Sequence, residues 1–370
     1  MRPLITFIIT AYREPVKLEK LLEYLVANAK SDSLEVIVSV DEPNSELEEI
    51  TKRYSDKATF LVSKSRRGKV QALNEALSLS RGEIVVFLDN DVEITDQFFI
   101  DKLYSFMSNH DVVEIKKISR NDSLIGKLIY YDYLTFGVAS YIFARRVKLC
   151  AGLNGAAFAF RTRIIRELGG FKNIILEDMD IGFRSFFIGV PYGYFYQSAV
   201  LVEPPSGLRQ WVNQRLRWSQ GAWLWIEEYF PLLVRSGSRH LPESLLAIVV
   251  MFPWSLILPV IFLSFFPLIS GPLLTLWYLG FSVFAFLLPF VYLLQTSMAL
   301  LPPQAFFTVF YYFVYVLFVS LLARRIGYKV NILWLTVYFF FYAPIWFSIM
   351  IAGFTRTFLL GRKDVKGWKV

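Results

Sequence analysis

Apolar and polar positions alternate along the first part of the chain in a way that predicts strands and helices in turn. Continuous apolar runs of strand length, such as "LITFIITAY" and "EIVVFL", are followed by segments with leucines at helical spacing, such as "PVKLEKLLEYLVANA". Buried, bulky strands that alternate with helices are typical of a parallel sheet with helices on its faces. The pattern therefore predicts an α/β domain with a mainly parallel sheet.

Three of the predicted strands end in side chains that can do chemistry. Tyr12 and Glu14 follow the first strand, Asp41 ends the second, and Asp89 and Asp91 follow "EIVVFL". The carboxyl ends of neighbouring parallel strands meet at one edge of a sheet, where ligands of such sheets bind. A loop or helix-cap role would explain any one of these acids. As a set, they are expected to share one crevice.

The pattern changes in the middle of the chain and again near its end. Residues 124–143 are apolar but contain Lys127 and Asp132, which favours a helix that lies on a membrane surface or covers the active site. Residues 244–323 and 331–355 contain no charged side chain and no histidine. Because a bilayer crossing takes roughly 20 apolar residues, this part predicts three or four membrane helices, with candidate spans at 244–268, 273–298, 303–322 and 332–354.

The topology of these spans stays open at the sequence level. Basic clusters lie on both sides of the last candidate span, at 324–329 and 361–369. Cytoplasmic loops carry the excess of basic residues, so both clusters cannot satisfy that rule if the span crosses. Either one cluster faces outward, or one segment is re-entrant, for example the last one, which Pro344 interrupts.

Composition supports the same division of the chain. Of 370 residues, 55% are hydrophobic and 19% are charged, which is too apolar for an ordinary soluble enzyme. The segment "PLITFIIT" is interpreted as a buried strand rather than a signal peptide, so the first domain is expected to stay in the cytoplasm. The net charge of +8 comes from basic residues that flank apolar segments, which favours anionic lipids over nucleic acid as the partner.

Several short motifs carry candidate chemistry. The D-x-D of "FLDNDVEI" offers hard oxygen ligands, which suit Mg²⁺ or Mn²⁺ held jointly with a diphosphate. Gly68 and Lys69 stand before a predicted helix, where a phosphate or a solvated basic loop fits equally well. In "ILEDMDIGFR", Asp178 can serve as a helix cap or as a general base. The arginines and tryptophans of residues 206–230 fit an interfacial helix that also closes an active site.

Taken in order, these motifs resemble those of the family-two inverting glycosyltransferases of the cellulose, chitin and hyaluronan synthase type. The segments are "AYREP", "SVDEP", "RGKVQALNEAL", "FLDND", "NGAAFAFR", "LED" and "QRLRW", and they cover about residues 3–230. The resemblance implies a GT-A-type domain that binds a nucleotide-sugar. Two departures from many large synthases are expected: no membrane helix is predicted before the catalytic domain, and no segment after residue 323 resembles the gating loop of bacterial cellulose synthase.

The resemblance also implies roles for individual residues. Those expected to bind the nucleotide are Tyr12, Glu14, Asp41, Lys69, Asp89, Gln214 and Arg215. Asp89 and Asp91 match the motif that holds Mg²⁺ or Mn²⁺. Asp178 matches the catalytic base, and Arg217 matches the arginine that stabilises the diphosphate leaving group. The residues expected near the acceptor are Gly155, Glu177 and Trp218.

The sequence therefore predicts a cytoplasmic glycosyltransferase domain at 1–205, an interfacial helix region at 206–243 and a membrane domain at 244–370. The expected activity is transfer of a sugar from a nucleotide-sugar, with UDP the expected nucleotide, to a growing polysaccharide by a multi-pass protein of the cell membrane. Single transfer to a polyprenyl phosphate or another lipid is the alternative, and a non-catalytic membrane scaffold is a third reading. Membrane lipids and a glycan or lipid acceptor are the expected partners.

Overall fold

The structure is a computed structural model that describes residues 4–28, 33–120, 122–237, 239–263 and 303–361. The candidate span 273–298 and the basic tail after residue 361 lie outside these residues. The first part of the chain alternates strands and helices as the apolar pattern predicts. Its elements are β1 (Ile5–Tyr12), α1 (Leu18–Ala27), β2 (Leu34–Asp41), α2 (Ser45–Arg53), β3 (Thr59–Ser63), α3 (Lys69–Leu79) and β4 (Ile84–Asp89).

The second part of the domain completes the sheet and adds its covering helices. Its elements are β5 (Val92–Ile94), α4 (Phe99–Met107), β6 (Val112–Ser119), α5 (Leu124–Arg146), β7 (Ala157–Arg161), α6 (Thr162–Glu167), α7 (Glu177–Phe187) and β8 (Tyr192–Val202). α8 (Leu208–Gly237), α9 (Leu241–Met251) and α10 (Trp254–Leu263) follow. Pro303–Arg325 forms what we call the first apolar helix, and Ile332–Leu359 the second, which contains π-helical turns at Tyr338–Tyr342 and Thr355–Leu359.

The eight strands form one sheet in the order β3-β2-β1-β4-β7-β6-β8-β5. The four strands β3, β2, β1 and β4 are parallel, as predicted. The prediction of a mainly parallel sheet is too simple for the other half, because β7 runs antiparallel to both β4 and β6. The sheet is therefore mixed.

The direction of β7 follows from the path of the chain before it. The carbonyl of Lys148 accepts a hydrogen bond from the Tyr192 N–H at the start of β8, so the end of α5 lies at the amino edge of that parallel strand. The carbonyl of Ala156 accepts one from the Asp89 N–H at the carboxyl end of β4. The intervening segment thus returns to the carboxyl edge before β7 begins. β7 must then run back antiparallel, and its preceding loop stays beside the D-x-D.

The sheet separates two layers of apolar side chains. Because successive side chains of a strand point to opposite faces, Phe7 of β1 packs in one layer with Leu21 of α1, and Ile8 packs in the other with Leu73 of α3. Helix α5 covers the second half of the sheet through contacts with β6 and β8, and it also contacts α9 and both apolar helices. α5 is therefore the element that joins the sheet to the apolar helices.

The loop between the two apolar helices is anchored on this platform. Lys116 of β6 donates hydrogen bonds from its Nζ to the carbonyls of Ile326 (2.9 Å) and Gly327 (2.8 Å), the end of the first apolar helix. The Tyr328 hydroxyl donates to the Lys117 carbonyl at 2.9 Å. The Tyr131 hydroxyl donates to the Asn331 carbonyl, where the second apolar helix begins. The basic cluster 324–329 therefore lies on the side of the sheet domain.

Two helices among the described residues are long and apolar enough to cross a bilayer, Phe307–Arg325 and Ile332–Leu359. The pair Leu241–Met251 and Trp254–Ile261 meets the same criterion only jointly, and it is bent by 90°. These lengths are compatible with a membrane domain, but they do not establish the predicted number of spans.

Candidate active site

The carboxyl edge of the sheet brings the D-x-D together with the start of α3. Lys69, the first residue of α3, places its Nζ 2.9 Å from Asp89 Oδ1 and 3.2 Å from Glu177 Oε1. Glu177 is the first residue of α7, so three separate elements meet at one ammonium group. The sequence predicted a functional role for each of these residues, and the structure places them in contact.

The loop before β7 packs tightly against this group. A Cβ at Gly155 would lie 2.9 Å from Asp178 Oδ2 and 3.3 Å from Lys69 Nζ, so only glycine fits without displacing them. The neighbouring Asn154 N–H donates to Glu114 Oε2 at 3.0 Å, which fixes the loop to β6. Gly155 therefore shapes the floor beside Asp178, at the point where the sequence predicted an acceptor contact.

Asp178 lies in the first turn of α7 and points into the same space. Its Oδ1 accepts a hydrogen bond from the Met179 N–H at 2.8 Å. Burial raises the pKa of Asp178, and Asp89 adds to this, while Lys69 opposes it. A carboxylate that is desolvated in this way is a stronger base than one in water. This is the property that a general base requires.

The other carboxylates of the site share this environment. Burial, together with the neighbouring Asp89 charge, raises the pKa of Asp91 to about 7. Burial likewise raises the pKa of Glu177 to about 7, with a contribution from Asp178 and against the effect of Lys69. Burial alone would lower the pKa of Lys69, but the surrounding carboxylates outweigh it and leave that pKa above its usual range. The site therefore gathers several carboxyl groups around the Lys69 ammonium group.

Arg217 reaches the same site from α8. Burial lowers the pKa of its guanidinium, while the opposing charges of Glu177 and Asp89 act in the other direction. Asp178 and Arg66 also lie within electrostatic range of this guanidinium. The arginine of "QRLRW" and the acids of the early strands thus share one site, although most of the sheet domain separates them in sequence.

The ends of β1 and β2 form a second, more exposed part of the site. The Tyr12 hydroxyl donates to Glu42 Oε2 at 3.2 Å, and the guanidinium carbons of Arg66 and Arg13 lie 4.5 Å and 5.0 Å from the centroid of its ring. Arg13 also forms an ion pair with Glu42 at 3.0 Å. Glu14 is exposed, and its carbonyl accepts a hydrogen bond from Asn90 Nδ2 at 2.8 Å. This surface lies where the sequence predicted nucleotide contacts.

The backbone is strained at these strand ends. Arg13, Val16 and Glu42 have positive φ angles of 63°, 43° and 47°. For residues other than glycine such angles cost of order 1–3 kcal/mol each and cluster at functional sites. The strained turns keep Tyr12 and Glu42 facing each other.

Asp41 has a role that its position alone does not indicate. Its two oxygens accept hydrogen bonds from Arg67 Nε and from the Arg67 N–H, both at 2.8 Å, and Gly68 N–H donates at 3.0 Å. The guanidinium of Arg67 also donates to the carbonyls of Val40 and Leu61. Asp41 therefore ties the loop before α3 to the sheet. Sequence reasoning did not assign Arg66 or Arg67, although "SRRG" is the signal that marks them.

Arg215 lies on a different side of α8 from Arg217. Arg215 is buried and places its NH2 2.6 Å from Asp132 Oδ2 of α5. Trp218 packs on the same guanidinium, 4.3 Å from its ring centroid, and Gln214 is half-buried. These contacts do not test whether Gln214 and Arg215 bind the nucleotide or whether Trp218 contacts the acceptor. In the structure the Arg215 guanidinium forms its ion pair with Asp132.

The carboxylates of the D-x-D offer an oxygen that suits a divalent cation. Asp91 Oδ1 is buried and has no hydrogen-bond partner among the described residues. An oxygen of this kind fits a hard cation such as Mg²⁺ or Mn²⁺. Within the part of the chain that the structure describes, no group of three or more His, Cys, Asp or Glu side chains is arranged to hold an ion by itself. The residues therefore fit a cation that takes its other ligands from a bound diphosphate.

Strand-end carboxylates, a lysine at a helix start and a half-buried arginine meet at the carboxyl edge of the sheet, which is the arrangement expected of an α/β nucleotide-dependent transferase domain. A family model described as "Glycosyltransferase like family 2" matches residues 2–221, more than half of the chain. The chain therefore belongs to glycosyltransferase family 2.

Similar proteins agree with this assignment at moderate distance. The probable glycosyltransferase YdaM of Bacillus subtilis is 25% identical over 232 residues, which cover 59% of this chain and 55% of YdaM. The poly-beta-1,6-N-acetyl-D-glucosamine synthase of Staphylococcus aureus is 26% identical over 232 residues, which cover 59% of this chain and 54% of the synthase. The chain thus spans about half the length of these curated relatives.

The fold of this chain is similar to that of a solved glycosyltransferase structure. The mannosyltransferase PcManGT from Pyrobaculum calidifontis, in complex with GDP-Man and Mn²⁺, matches with a TM-score of 0.52 at 20% identity, over 87% of each chain. At this identity the likeness establishes the fold alone. It supports the GT-A-like arrangement of the sheet domain.

Proposed function

We propose that this protein is a membrane-bound, inverting, metal-dependent glycosyltransferase that extends a polysaccharide from a nucleoside diphosphate sugar. The observation that carries the proposal is the meeting of Asp178, Asp89, Lys69 and Arg217 in one half-buried site. The Asp178 carboxylate is available to the acceptor, and Lys69 and Arg217 are available to the departing diphosphate. The site therefore has separate groups for the two sides of a single displacement.

In this mechanism Asp178 accepts the proton of the acceptor hydroxyl as that oxygen attacks the anomeric carbon. Attack from the face opposite the leaving group inverts the configuration. Lys69 and Arg217 stabilise the charge that develops on the departing diphosphate, since preorganised cations in a buried site need no reorganisation. A divalent cation held by Asp91 and Asp89 would supply further charge neutralisation at the same diphosphate.

The exposed surface of Tyr12, Glu42 and Arg66 is proposed to hold the nucleotide base and ribose. The Tyr12 ring and the Arg66 guanidinium are planar groups on which a flat base can stack. The Glu42 carboxylate can accept hydrogen bonds from the hydroxyls of the ribose. UDP is the expected nucleotide by resemblance. Because the similar mannosyltransferase structure contains GDP-Man, a GDP-sugar is the second donor to test.

Processive synthesis is favoured by two observations. The motif "QRLRW" is typical of the polymerising members of the family, by the resemblance described above. One of the relatives is a synthase of a polymer, poly-beta-1,6-N-acetyl-D-glucosamine. Transfer of a single sugar to a polyprenyl phosphate or another lipid is the alternative, because the site lies close to the apolar helices.

The product decides between these two activities. Purified protein in detergent, with UDP- and GDP-sugars and Mn²⁺ or Mg²⁺, is expected to form a ladder of polymers by mass spectrometry. A single glycolipid that extracts into organic solvent would instead establish the alternative. Absence of transfer from every donor, with or without either metal, would contradict both activities and favour the scaffold.

Attachment to the cell membrane is proposed through the apolar helices. The loop 326–331 is bound to β6 and α5, so the first apolar helix ends on the catalytic side together with the basic cluster 324–329. The rule for basic loops then agrees with a cytoplasmic catalytic domain. Exposed apolar side chains on the first apolar helix, such as Phe313 and Leu317, are available to lipid.

The second apolar helix, although long enough to cross, is proposed to lie along the membrane surface. Trp211, Ser219 and Trp223 of α8 donate hydrogen bonds in turn to Tyr342 (3.1 Å), Ile349 (3.1 Å) and Met350 (2.8 Å). The contacts advance along both helices, so the two run side by side in the same direction. Because α8 also delivers Arg217 to the active site, a partner packed along it stays at the level of that site.

This arrangement predicts which side of the membrane each end of the second apolar helix faces. In vesicles with the catalytic domain outward, a cysteine introduced at Gly361 is expected to react with an impermeant maleimide as readily as one at Ser55, an exposed catalytic-domain residue. The native Cys150 is buried and should contribute little background. Labelling of Gly361→Cys only after the vesicles are opened would establish a crossing helix instead.

A further inference from the structure

A buried ion pair joins α5 to α8 next to the active site. Arg215 and Asp132 are 2.6 Å apart, and their side chains are 3% and 15% exposed. Three indole rings surround the guanidinium carbon, with centroids at 4.3 Å for Trp218, 5.1 Å for Trp346 and 5.9 Å for Trp211. The pair is thus enclosed by α8 itself and by the second apolar helix.

Stability alone does not account for such a pair. Removing two charges from water costs about as much as their attraction returns, and apolar replacements are often neutral or stabilising. The pair also leaves Arg215 Nε buried without a hydrogen-bond partner among the described residues. What a buried pair of this kind does supply is one defined orientation of the helix that carries it.

The orientation matters because Arg217 lies two residues further along α8. At 3.6 residues per turn, residues two apart point to nearly opposite sides of a helix. Holding Arg215 against α5 therefore turns Arg217 away from α5, toward Glu177 and Asp89, within whose electrostatic range it lies. A rotation of α8 would change the distance between the Arg217 guanidinium and these carboxylates.

Helix α5 itself is fixed relative to the active site. Tyr133, the residue after Asp132, packs against both the sheet core and the core of the apolar helices. Tyr133 also lies within electrostatic range of Asp91, Asp89 and Arg215. The part of α5 that carries Asp132 therefore has a fixed position next to the D-x-D.

We propose that Asp132 is a positioning residue for the transfer reaction: its ion pair with Arg215 sets the rotation of α8, so that Arg217 faces the departing diphosphate. This role rests on the proposed function, in which Arg217 stabilises that leaving group. Asp132 touches no substrate, and its effect on turnover passes through Arg217.

The test is a double-mutant cycle between Asp132 and Arg217. Asp132→Asn is expected to lower kcat by about ten- to a hundredfold, since a displacement of the order of 1 Å has such effects, with little change in KM for the donor. In the Arg217→Ala background the same substitution is expected to change kcat no further. An equal loss in both backgrounds would overturn the proposal.

Two further variants separate positioning from misfolding. Asp132→Asn leaves Arg215 buried and unpaired, so Asp132→Asn with Arg215→Met removes both charges and is expected to restore the melting temperature but not kcat. Recovery of wild-type kcat in this double variant would contradict the positioning role. Glu228→Gln is the matched control, because it breaks the exposed ion pair of α8 with Lys172, at 3.0 Å, and is expected to leave kcat unchanged.

The same cycle can be measured without turnover. The free nucleoside diphosphate product, UDP or GDP, carries the leaving-group charge, so its affinity by calorimetry should depend on Arg217, and on Asp132 only while Arg217 is present. If the wild type transfers no sugar, the proposed function fails. The coupling in product affinity still decides the role of Asp132, and additive losses there would reject it.

Discussion

Replacement of Asp178 by Asn is expected to lower kcat by about 10³-fold, within the range for loss of a general base. The side chain keeps its shape and its place at the start of α7 but can no longer accept a proton from the acceptor. Binding of the donor nucleotide should be unchanged, because Lys69 and Arg217 remain. Turnover with a donor panel and nucleotide affinity by calorimetry measure the two effects separately.

The same variant should become more stable, which separates chemistry from folding. Since burial raises the pKa of Asp178, its charged form is costly in the fold. The stability linked to its protonation is present below the unfolded pKa near 4 and is lost as the pH rises through the raised folded value. At neutral pH the uncharged Asn avoids this loss, so the melting temperature should rise as activity falls.

Asp180→Asn provides a control on the same helix. Asp180 is fully buried and accepts hydrogen bonds from Arg184 Nε (2.7 Å) and the Tyr229 hydroxyl (2.5 Å), so it holds α7 to its neighbours. Its replacement should lower the melting temperature while the folded fraction keeps its kcat. If Asp178→Asn kept wild-type turnover, or if the two variants behaved alike, Asp178 would not be the base.

The convergence of the strand-end residues could be predicted from sequence for a simple physical reason. Neighbouring parallel strands end at one edge of the sheet, so Asp89 at the end of β4 and Asp41 at the end of β2 had to lie along the same edge. Lys69 begins the helix between those strands and therefore lies at the same edge. The pattern could not predict which groups each acid would bind. Asp41, for example, accepts hydrogen bonds from Arg67 and Gly68 in the loop before α3.

The second half of the sheet was harder to predict because it contains buried charge. β6 reads "VVEIKKIS", which does not resemble a central strand, yet Glu114, Lys116 and Lys117 are all buried. Lys117 binds Glu114 and the Ala157 carbonyl, and Lys116 binds the end of the first apolar helix. The Ala157 and Ile326 carbonyls that these lysines bind are distant in sequence, so no local window predicts the strand.

The ion pair of Asp132 with Arg215 escaped prediction for the same reason. Lys127 and Asp132 indicated that residues 124–143 do not cross a membrane, and the structure places this helix between the sheet and the apolar helices. The partner of Asp132 depends on how α8 packs on α5, which is a tertiary property. The arginines of "QRLRW" therefore share one predicted motif but have different surroundings in the fold.

Arg217 is expected to have the second large effect on turnover. Arg217→Ala should lower kcat by about 10²- to 10³-fold, the usual cost of removing one group that stabilises developing negative charge. The affinity for the intact donor should fall less, because the charge on the leaving oxygen grows only as the glycosidic bond breaks. Kinetics with saturating donor, together with donor affinity measured by calorimetry, give the two values.

Arg217→Lys sharpens the interpretation, since it keeps the positive charge and loses the planar fork. An intermediate kcat is expected if two oxygens of the diphosphate are bound by the guanidinium, because an ammonium group cannot reproduce that geometry. Arg209→Ala, an exposed arginine of the same helix, should leave kcat unchanged. Equal losses of donor affinity and kcat in Arg217→Ala would assign this residue to ground-state binding instead, and the leaving-group role would then have to rest on Lys69 and the bound cation alone.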